Sequence, residues 1–457
     1  MDFIEIAPVS KVLSHTRYLL TLRSSEGVYR SLLLFRLATG SVANDAPLTS
    51  EHLYVMESAC PHLGADMSHA DIEECDAGVV AVCPWHRYDF DMRTGQSDTG
   101  LRACVYRVDV RRKDGKDEDV VWIEAPEEGR SWRLVEFRPV SEEFANPPPP
   151  KSLFAASDQS MPDLITLSED IVPRDNPPKT LVQWAVLILN TPHPQLKVER
   201  TRHAVQLFRS GKLASIGRGA NAPKPPDFPP RLDIMKFVDP GRAVKRKGRP
   251  AMLHALANIE QWAIDLAWDA IARFGPTNPT LPHQFFSDFS KVALDEAKHF
   301  SLLLSRLAAL DTAYGSLPIH AALWSSATET AHSLRSRLAI VHLVHEARGL
   351  DVNPQTIAKF ARQGDTESVE ALNIIHNDEL THVTAGHRWF TFLCAEQGLD
   401  PVQTFREEVR LHFSGHLKGP FNDEDREKAG LTRDFYEDLA GELREQPKLE
   451  LPGSKAG

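Results

Sequence analysis

Four residues near the start of the chain carry the strongest chemical signal. Cys60 and His62 are separated by one residue and Cys83 and His86 by two, in the clusters Cys-Pro-His and Cys-Pro-Trp-His. Two thiolates supply charge and softness to one iron of a two-iron, two-sulfide cluster, while two imidazoles hold the other iron and raise its potential. Zinc also accepts Cys and His, but zinc knuckles usually space each pair by two or more residues. Pro61, Pro84 and Gly64 stiffen two loop tips, and "FDMRTG", ending at Gly95, reads as the turn of a following hairpin.

Such a cluster moves one electron at a time, so it needs an acceptor, and the second half of the chain offers one. Glu260 falls in an apolar row with Leu253, Leu256, Ile264 and Ala267, which puts a carboxylate on the buried stripe of a helix. "DEAKH" sets Glu296 and His299 three apart on one helical face. Glu346 lies in "HLVHEARG", in line with Leu338, Ala339 and His342, and "DELTH" repeats the Glu-x-x-His step at Glu379 and His382. The order single, pair, single, pair matches the ligand inventory of a di-iron carboxylate bundle. The bland alternative is solvated glutamates and core histidines. Desolvation speaks against it, because a buried carboxylate without a cation is expensive.

Asp295 and Asp378 each precede a pair glutamate, where they can accept from the outer nitrogen of a ligand histidine on a neighbouring helix. His376, three before Glu379, is a candidate extra ligand or donor, and His342, one turn before Glu346, is a weaker one. Asp265 and Asp269, one turn apart, read as a polar-face or packing pair.

These residues carry three resemblances. The stretch "CPHLGADMSHADIEECDAGVVAVCPWH" resembles the ferredoxin-like and oxygenase-type Rieske domains. It departs from the respiratory type, since Ala65, Pro84 and Trp85 stand in the loops where that type adds a disulfide. The resemblance implies a [2Fe-2S] cluster on Cys60, His62, Cys83 and His86, with a potential toward the lower part of the Rieske range. The "DE-x-x-H" form resembles the bacterial multicomponent monooxygenases, although Lys298 and Thr381 stand where those enzymes often have Arg. "NIEQWAIDLAWDAIARF", "DEAKHF", "HEARGLDV" and "NDELTHVTAGHRWF" resemble the DUF455 family. That likeness implies a ferritin-like di-iron fold related to tRNA-hydroxylating di-iron enzymes.

The elements that must position these side chains follow from periodicity. Residues 1–137 read as short strands, among them "YRSLLLFRLA", "GVVAVCP", "ACVYRVDVRR" and "DVVWIEA", hence a small all-β domain. A Pro-rich linker covers 138–178, with four consecutive prolines ending at Pro150. Residues 179–249 read as a helical extension with a second Pro-rich loop. From 250 to 415 long amphipathic segments, roughly Ala251 to Phe274, Pro282 to Leu310, His320 to Arg348 and Thr366 to Gln397, predict an all-α ferritin-like four-helix bundle. Residues 416–457 read as a charged, peripheral tail.

Composition limits the rest. With 457 residues the chain is long enough for roughly two or three domains. Its formal charge of -11 argues against general nucleic-acid binding, and "GRAVKRKGR" reads as a solvated linker. No start resembling a signal peptide and no apolar run of bilayer length is present, so a cytoplasmic, membrane-free protein is expected. Five cysteines make no disulfide framework, and Cys75, Cys104 and Cys394 are expected to be small buried hydrophobes.

The combined reading is a di-iron oxygenase, a hydroxylase or N-oxygenase, fed by its own Rieske cluster. Two ferrous ions held by Glu260, Glu296, His299, Glu346, Glu379 and His382 would activate O2 toward a small-molecule or nucleoside substrate. No Gly-rich dinucleotide fingerprint follows a strand, so a separate NAD(P)H-dependent reductase is implied. A homo-oligomer is compatible with the sequence. Two rivals remain at this stage: a ferritin-like oxidase or peroxidase without organic substrate, and an electron-transfer or redox-sensing protein.

Overall fold

The computed structural model describes residues 2–37, 48–62, 64–75, 78–83, 88–97, 99–112, 118–127, 129–140, 169–213, 215–219, 221–239, 248–413 and 417–439. His86, the four prolines, most of the basic run and the last part of the tail lie outside them.

The N-terminal region is all β, as its alternating sequence predicts. It contains β1 Phe3–Pro8, a single turn α1 Val9–Val12, β2 Arg17–Ser24, β3 Tyr29–Arg36 and β4 Leu53–Glu57. These are followed by β5 Asp71–Cys75, β6 Gly78–Val82, β7 Asp89–Asp91, β8 Val105–Tyr106, β9 Val108–Arg112, β10 Asp119–Glu124 and β11 Trp132–Pro139. Every pairing is antiparallel, in sheets ordered β1-β10-β9, β11-β2-β3-β4-β8 and β5-β6-β7.

The central sheet is covered on both faces, which explains the uninterrupted apolar run in β3. Leu32 and Leu34 join one core with Leu20, Leu22, Val55 and Ile123. Leu33 and Phe35 point the other way, into a second core with Tyr54, Met56, Met92, Ala103, Cys60 and Cys83. Each such buried side chain contributes roughly 2 kcal/mol, and the period of two sends consecutive residues to opposite cores.

One irregularity in β11 matters for the site. Leu134 pairs with Leu22 and Glu136 with Thr21, so Val135 is an extra residue, a β-bulge. Before it Trp132 and Leu134 face the first core, and after it Phe137 does. Glu136 and Arg138 are thereby turned to the opposite face, two residues apart.

The remainder is helical, so the chain joins a β region to an α region. The helices are α2 Leu181–Leu189, α3 Pro194–Arg209, α4 Arg249–Asp269, α5 His283–Ala308, α6 Ala322–Glu329, α7 Leu334–Arg337, α8 Ala347–Arg362, α9 Thr366–Glu396, α10 Pro401–His412, α11 Asp423–Lys428 and α12 Arg433–Tyr436. Caps mark several starts: Thr180 accepts from the Gln183 N–H, and Ser333 from that of Ser336. Two stretches widen into π-helix, Ala270–Phe274 after α4 and Leu338–Glu346 between α7 and α8.

Two expectations are revised. The third predicted helix is interrupted before Ser333 and then runs on past Arg348 to Arg362, through Gly349 and Pro354. Gly349 sits where α9 comes close: a Cβ there would lie 3.9 Å from a Glu379 carboxylate oxygen. It is therefore a packing position rather than a stop signal. The tail is peripheral only in part. Arg426 is buried and bonds both carboxylate oxygens of Asp351 at 2.8 Å, and Phe435 and Tyr436 are buried beside it in sequence.

The described chain falls into two compact units, one of residues 1–325 with 364–375, the other of 326–363 with 376–457. No helix among the described residues is long and apolar enough to cross a membrane.

Candidate metal centres

The first centre is built on the loop between β4 and β5 and on Cys83, just after β6. Cys60 and Cys83 are buried, and neither forms a disulfide. The Cys60 N–H donates to the Ala65 carbonyl at 2.8 Å, the Gly64 N–H to the Cys60 carbonyl at 2.8 Å, and the Cys83 N–H to the Tyr88 carbonyl at 2.7 Å. These bonds fix the backbone at both cysteines. The His62 ring lies 4.7 Å from that of Tyr88. Two buried thiols and an imidazole suit a [2Fe-2S] cluster, whose fourth expected ligand, His86, is outside the described residues.

The helical half touches this loop directly. Asp66 accepts from the Ser68 N–H and from Arg209 Nε, each at 2.9 Å, and Arg209 also reaches the Ser68 hydroxyl at 2.9 Å. His283, the first residue of α5, stacks on Phe208 at 4.9 Å, and a Cβ on Gly64 would lie 3.5 Å from its own. Burial pulls the His283 imidazole down to about 4, against the opposing charge of Asp66. It is neutral at physiological pH.

In the first unit, α4 and α5 bring Glu260, Glu296 and His299 together. Each offers an atom within 4.8 Å of the others, and all three are buried. His299 Nδ1 lies 3.3 Å from Glu260 Oε2 and 3.4 Å from Glu296 Oε2. Burial, then the charge of Glu296, pushes the Glu260 carboxyl up to about 8. Two carboxylates so close in a dry interior need a proton or a cation between them. The donor set, two oxygens and a nitrogen, suits iron.

In the second unit, the π-helical stretch carries His342 and Glu346, with Nδ1 and Oε1 2.7 Å apart. On α9, His382 Nδ1 lies 3.9 Å from Glu379 Oε2. A Cβ at Gly386 would come within 2.5 Å of the His342 Cβ, so only glycine lets α9 pass this close to His342. His376 points to a different element, with Nε2 3.1 Å from Asp425 of α11.

Asp295 is buried and meets Arg138 of β11 at 2.5 Å and Lys298 at 3.5 Å. Asp378 is also buried. Asp265 and Asp269 are packing-network residues: Asp265 pairs with buried Lys197 and with Arg231, and Asp269 takes Arg273. Burial lowers the Lys197 ammonium to about 8 despite Asp265. Cys394 is buried as expected, but Cys104 is exposed, where its N–H donates to Glu57. Arg138, Lys291, Arg209 and His283 were invisible in the sequence because their partners are far away along the chain.

A cysteine and histidine loop in a β domain defines an iron–sulfur, electron-transfer class, and the buried Glu and His on helices form a candidate metal site later in the sequence. Residues 28–104 match the Rieske [2Fe-2S] domain, and residues 190–437, more than half of the chain, match the family described as "Protein of unknown function (DUF455)". The chain belongs to the DUF455 family and carries a Rieske domain. An uncharacterized protein of Haemophilus influenzae is 38% identical over 207 residues, 45% of this chain and 72% of that relative.

Proposed function

We propose that this chain is a di-iron oxygenase whose electrons arrive through its own Rieske domain. The observation that carries the reading is the meeting of buried Glu260, Glu296 and His299 in a chain that also holds a Rieske match. Glu346, Glu379 and His382 complete the proposed ligand set. Iron held there would supply reductive activation of O2. The protein's own part is to set charge and spacing: four glutamates would offset the charge of two ferrous ions, and two imidazoles would add donors without adding charge. Burial excludes water, so that reducing equivalents are not lost to solvent.

Fusion supports the same reading, because a tethered donor reaches its acceptor at high effective concentration. A separate NAD(P)H-dependent reductase would load the cluster. The substrate class proposed is a small molecule or a nucleoside with an oxidisable C–H or amine.

Iron quantitation with Mössbauer spectra, before and after reduction under oxygen, tests this. Expected are two irons in the cluster and two more in an oxygen- and nitrogen-ligated site that is reoxidised by O2. A reduced protein whose only iron is the cluster would sink the reading.

A further inference from the structure

The bulge in β11 aims Glu136 and Arg138 at the face of α5, and the two elements meet as a ladder of two rungs. Lys291 Nζ lies 2.7 Å from Glu136 Oε1, and Arg138 Nη1 lies 2.5 Å from Asp295 Oδ2. The geometry is matched. Two residues of an antiparallel strand advance about 6.8 Å, and four residues of a helix advance about 6 Å. The charges alternate, negative to positive and then positive to negative, so a shifted docking would set like charges against each other.

The upper rung is further tied to the sheet. Glu136 accepts from the Thr21 hydroxyl on β2 at 2.7 Å. Although burial alone would raise it, Lys291 and Arg138 with the hydrogen bonds of Lys291 and Thr21 hold the Glu136 carboxyl below its ordinary value. The rung is therefore ionised and geometrically fixed.

The lower rung ends one residue before Glu296 and four before His299. Asp295 has 2% side-chain exposure and Arg138 18%, so their charges meet largely out of water. A guanidinium that pins this carboxylate also pins the helical turn from which both ligand candidates project.

We propose that Arg138, in the Rieske-bearing part of the chain, is a positioning residue for the metal site of the helical part. Through Asp295 it holds the turn bearing Glu296 and His299 in the geometry that metal requires. This rests on the reading that Glu296 and His299 bind metal. Arg138 binds no metal itself and lies on a strand that supplies no cluster ligand. The cluster domain thus shapes the site it is proposed to serve, besides feeding it.

The test uses the full-length chain, ferrous iron and a chelator competition that reads affinity at the helical site. Arg138→Met should weaken iron there about 10- to 100-fold, the usual range when an outer partner of a metal ligand is lost. The electron-spin spectrum of the Rieske cluster should not change. Lys291→Met removes the other rung and should leave affinity within about threefold of the parent, whereas a purely structural clamp would make the two variants alike. Arg138→Lys, which keeps the charge but loses the fork, should recover part of the loss.

Asp295→Asn is the reciprocal variant and guards against misfolding of Arg138→Met. It should reproduce the loss, and the double variant should be no worse than Asp295→Asn alone. Equal affinity in Arg138→Met and the parent, equal losses in Arg138→Met and Lys291→Met, or additive losses in the double variant would each overturn the proposal. Iron bound normally but unaffected by Arg138 would defeat this inference alone. A parent protein without helical iron would defeat the function proposed above and this inference together.

Discussion

Gly95→Ala should strip the protein of its Rieske cluster, and Gly100→Ala, five residues away in the same loop, should not. Both glycines have positive φ, 72° and 82°. An alanine at either position costs about 1–2 kcal/mol for the left-handed backbone. The difference is steric. A Cβ at Gly100 meets nothing within 4 Å, whereas one at Gly95 would lie 2.0 Å from the Ala103 carbonyl oxygen. Relief requires the two backbone segments to part, which adds roughly 1–3 kcal/mol of overpacking strain. It also endangers the bonds from the Ala103 N–H to the Gly95 carbonyl, 2.9 Å, and from the Gly95 N–H to the Asp91 carbonyl, 2.7 Å. Each is worth about 1 kcal/mol. The total for Gly95→Ala is about 4–7 kcal/mol, a large part of the ~5–15 kcal/mol that holds a domain together. Met92 and Ala103 share a core with Cys60 and Cys83, so the damage reaches the ligands. Visible absorption per chain and spin quantitation after reduction are the assays, with the rate of cluster loss at elevated temperature. A Gly95→Ala protein that keeps a full cluster as long as Gly100→Ala does would refute the steric argument.

Cys83→Ser should abolish the Rieske signal yet leave iron in the helical site, and turnover with a reductase should cease while chemical reduction still permits a single turnover; normal reductase-driven turnover would disprove the wiring. Glu296→Ala should lower helical iron and oxygen consumption together, with α5 intact because Ala is the best helix former; full iron and full consumption would make the glutamate an ordinary helix residue. Lys197 titrates near 8 in the folded chain against an ordinary 10.5, so the unfolded chain binds more protons between those values and stability rises with pH across that window. The urea midpoint of the helical transition should therefore increase between about pH 8 and 10, and Lys197→Met should flatten that rise.

Local chemistry was legible in the sequence, and chemistry between distant segments was not. Cys60, His62 and Cys83 announce themselves by spacing, since a loop of a few residues fixes how a thiol and an imidazole meet. Glu296 and His299 are equally plain because a helix turns three residues onto one face. Arg138 and Asp295 have no such signature: 157 residues separate them, and nothing in either neighbourhood names the other. The same holds for Arg209 and Asp66, 143 residues apart. Gly349 and Pro354 misled the helix reading because propensity is local, while α8 is held by packing. Arg426 looked like a tail residue because its partner Asp351 is distant in sequence.

The extra residue in β11 gives the molecule a rule of parity. Side chains on a strand alternate, so a strand's length counts only as odd or even where its faces are concerned. The ladder already sets Leu134 opposite Leu22 and Glu136 opposite Thr21, so losing Val135 alone would leave a regular strand with the pair of charges still toward α5 and Phe137 still in the core. Losing a second residue between Trp132 and Glu136 would instead put Glu136 on the face of Trp132, the apolar core. Lineages of this protein should therefore tolerate loss of that one residue and reject loss of two, although no metal ligand lies anywhere on the strand.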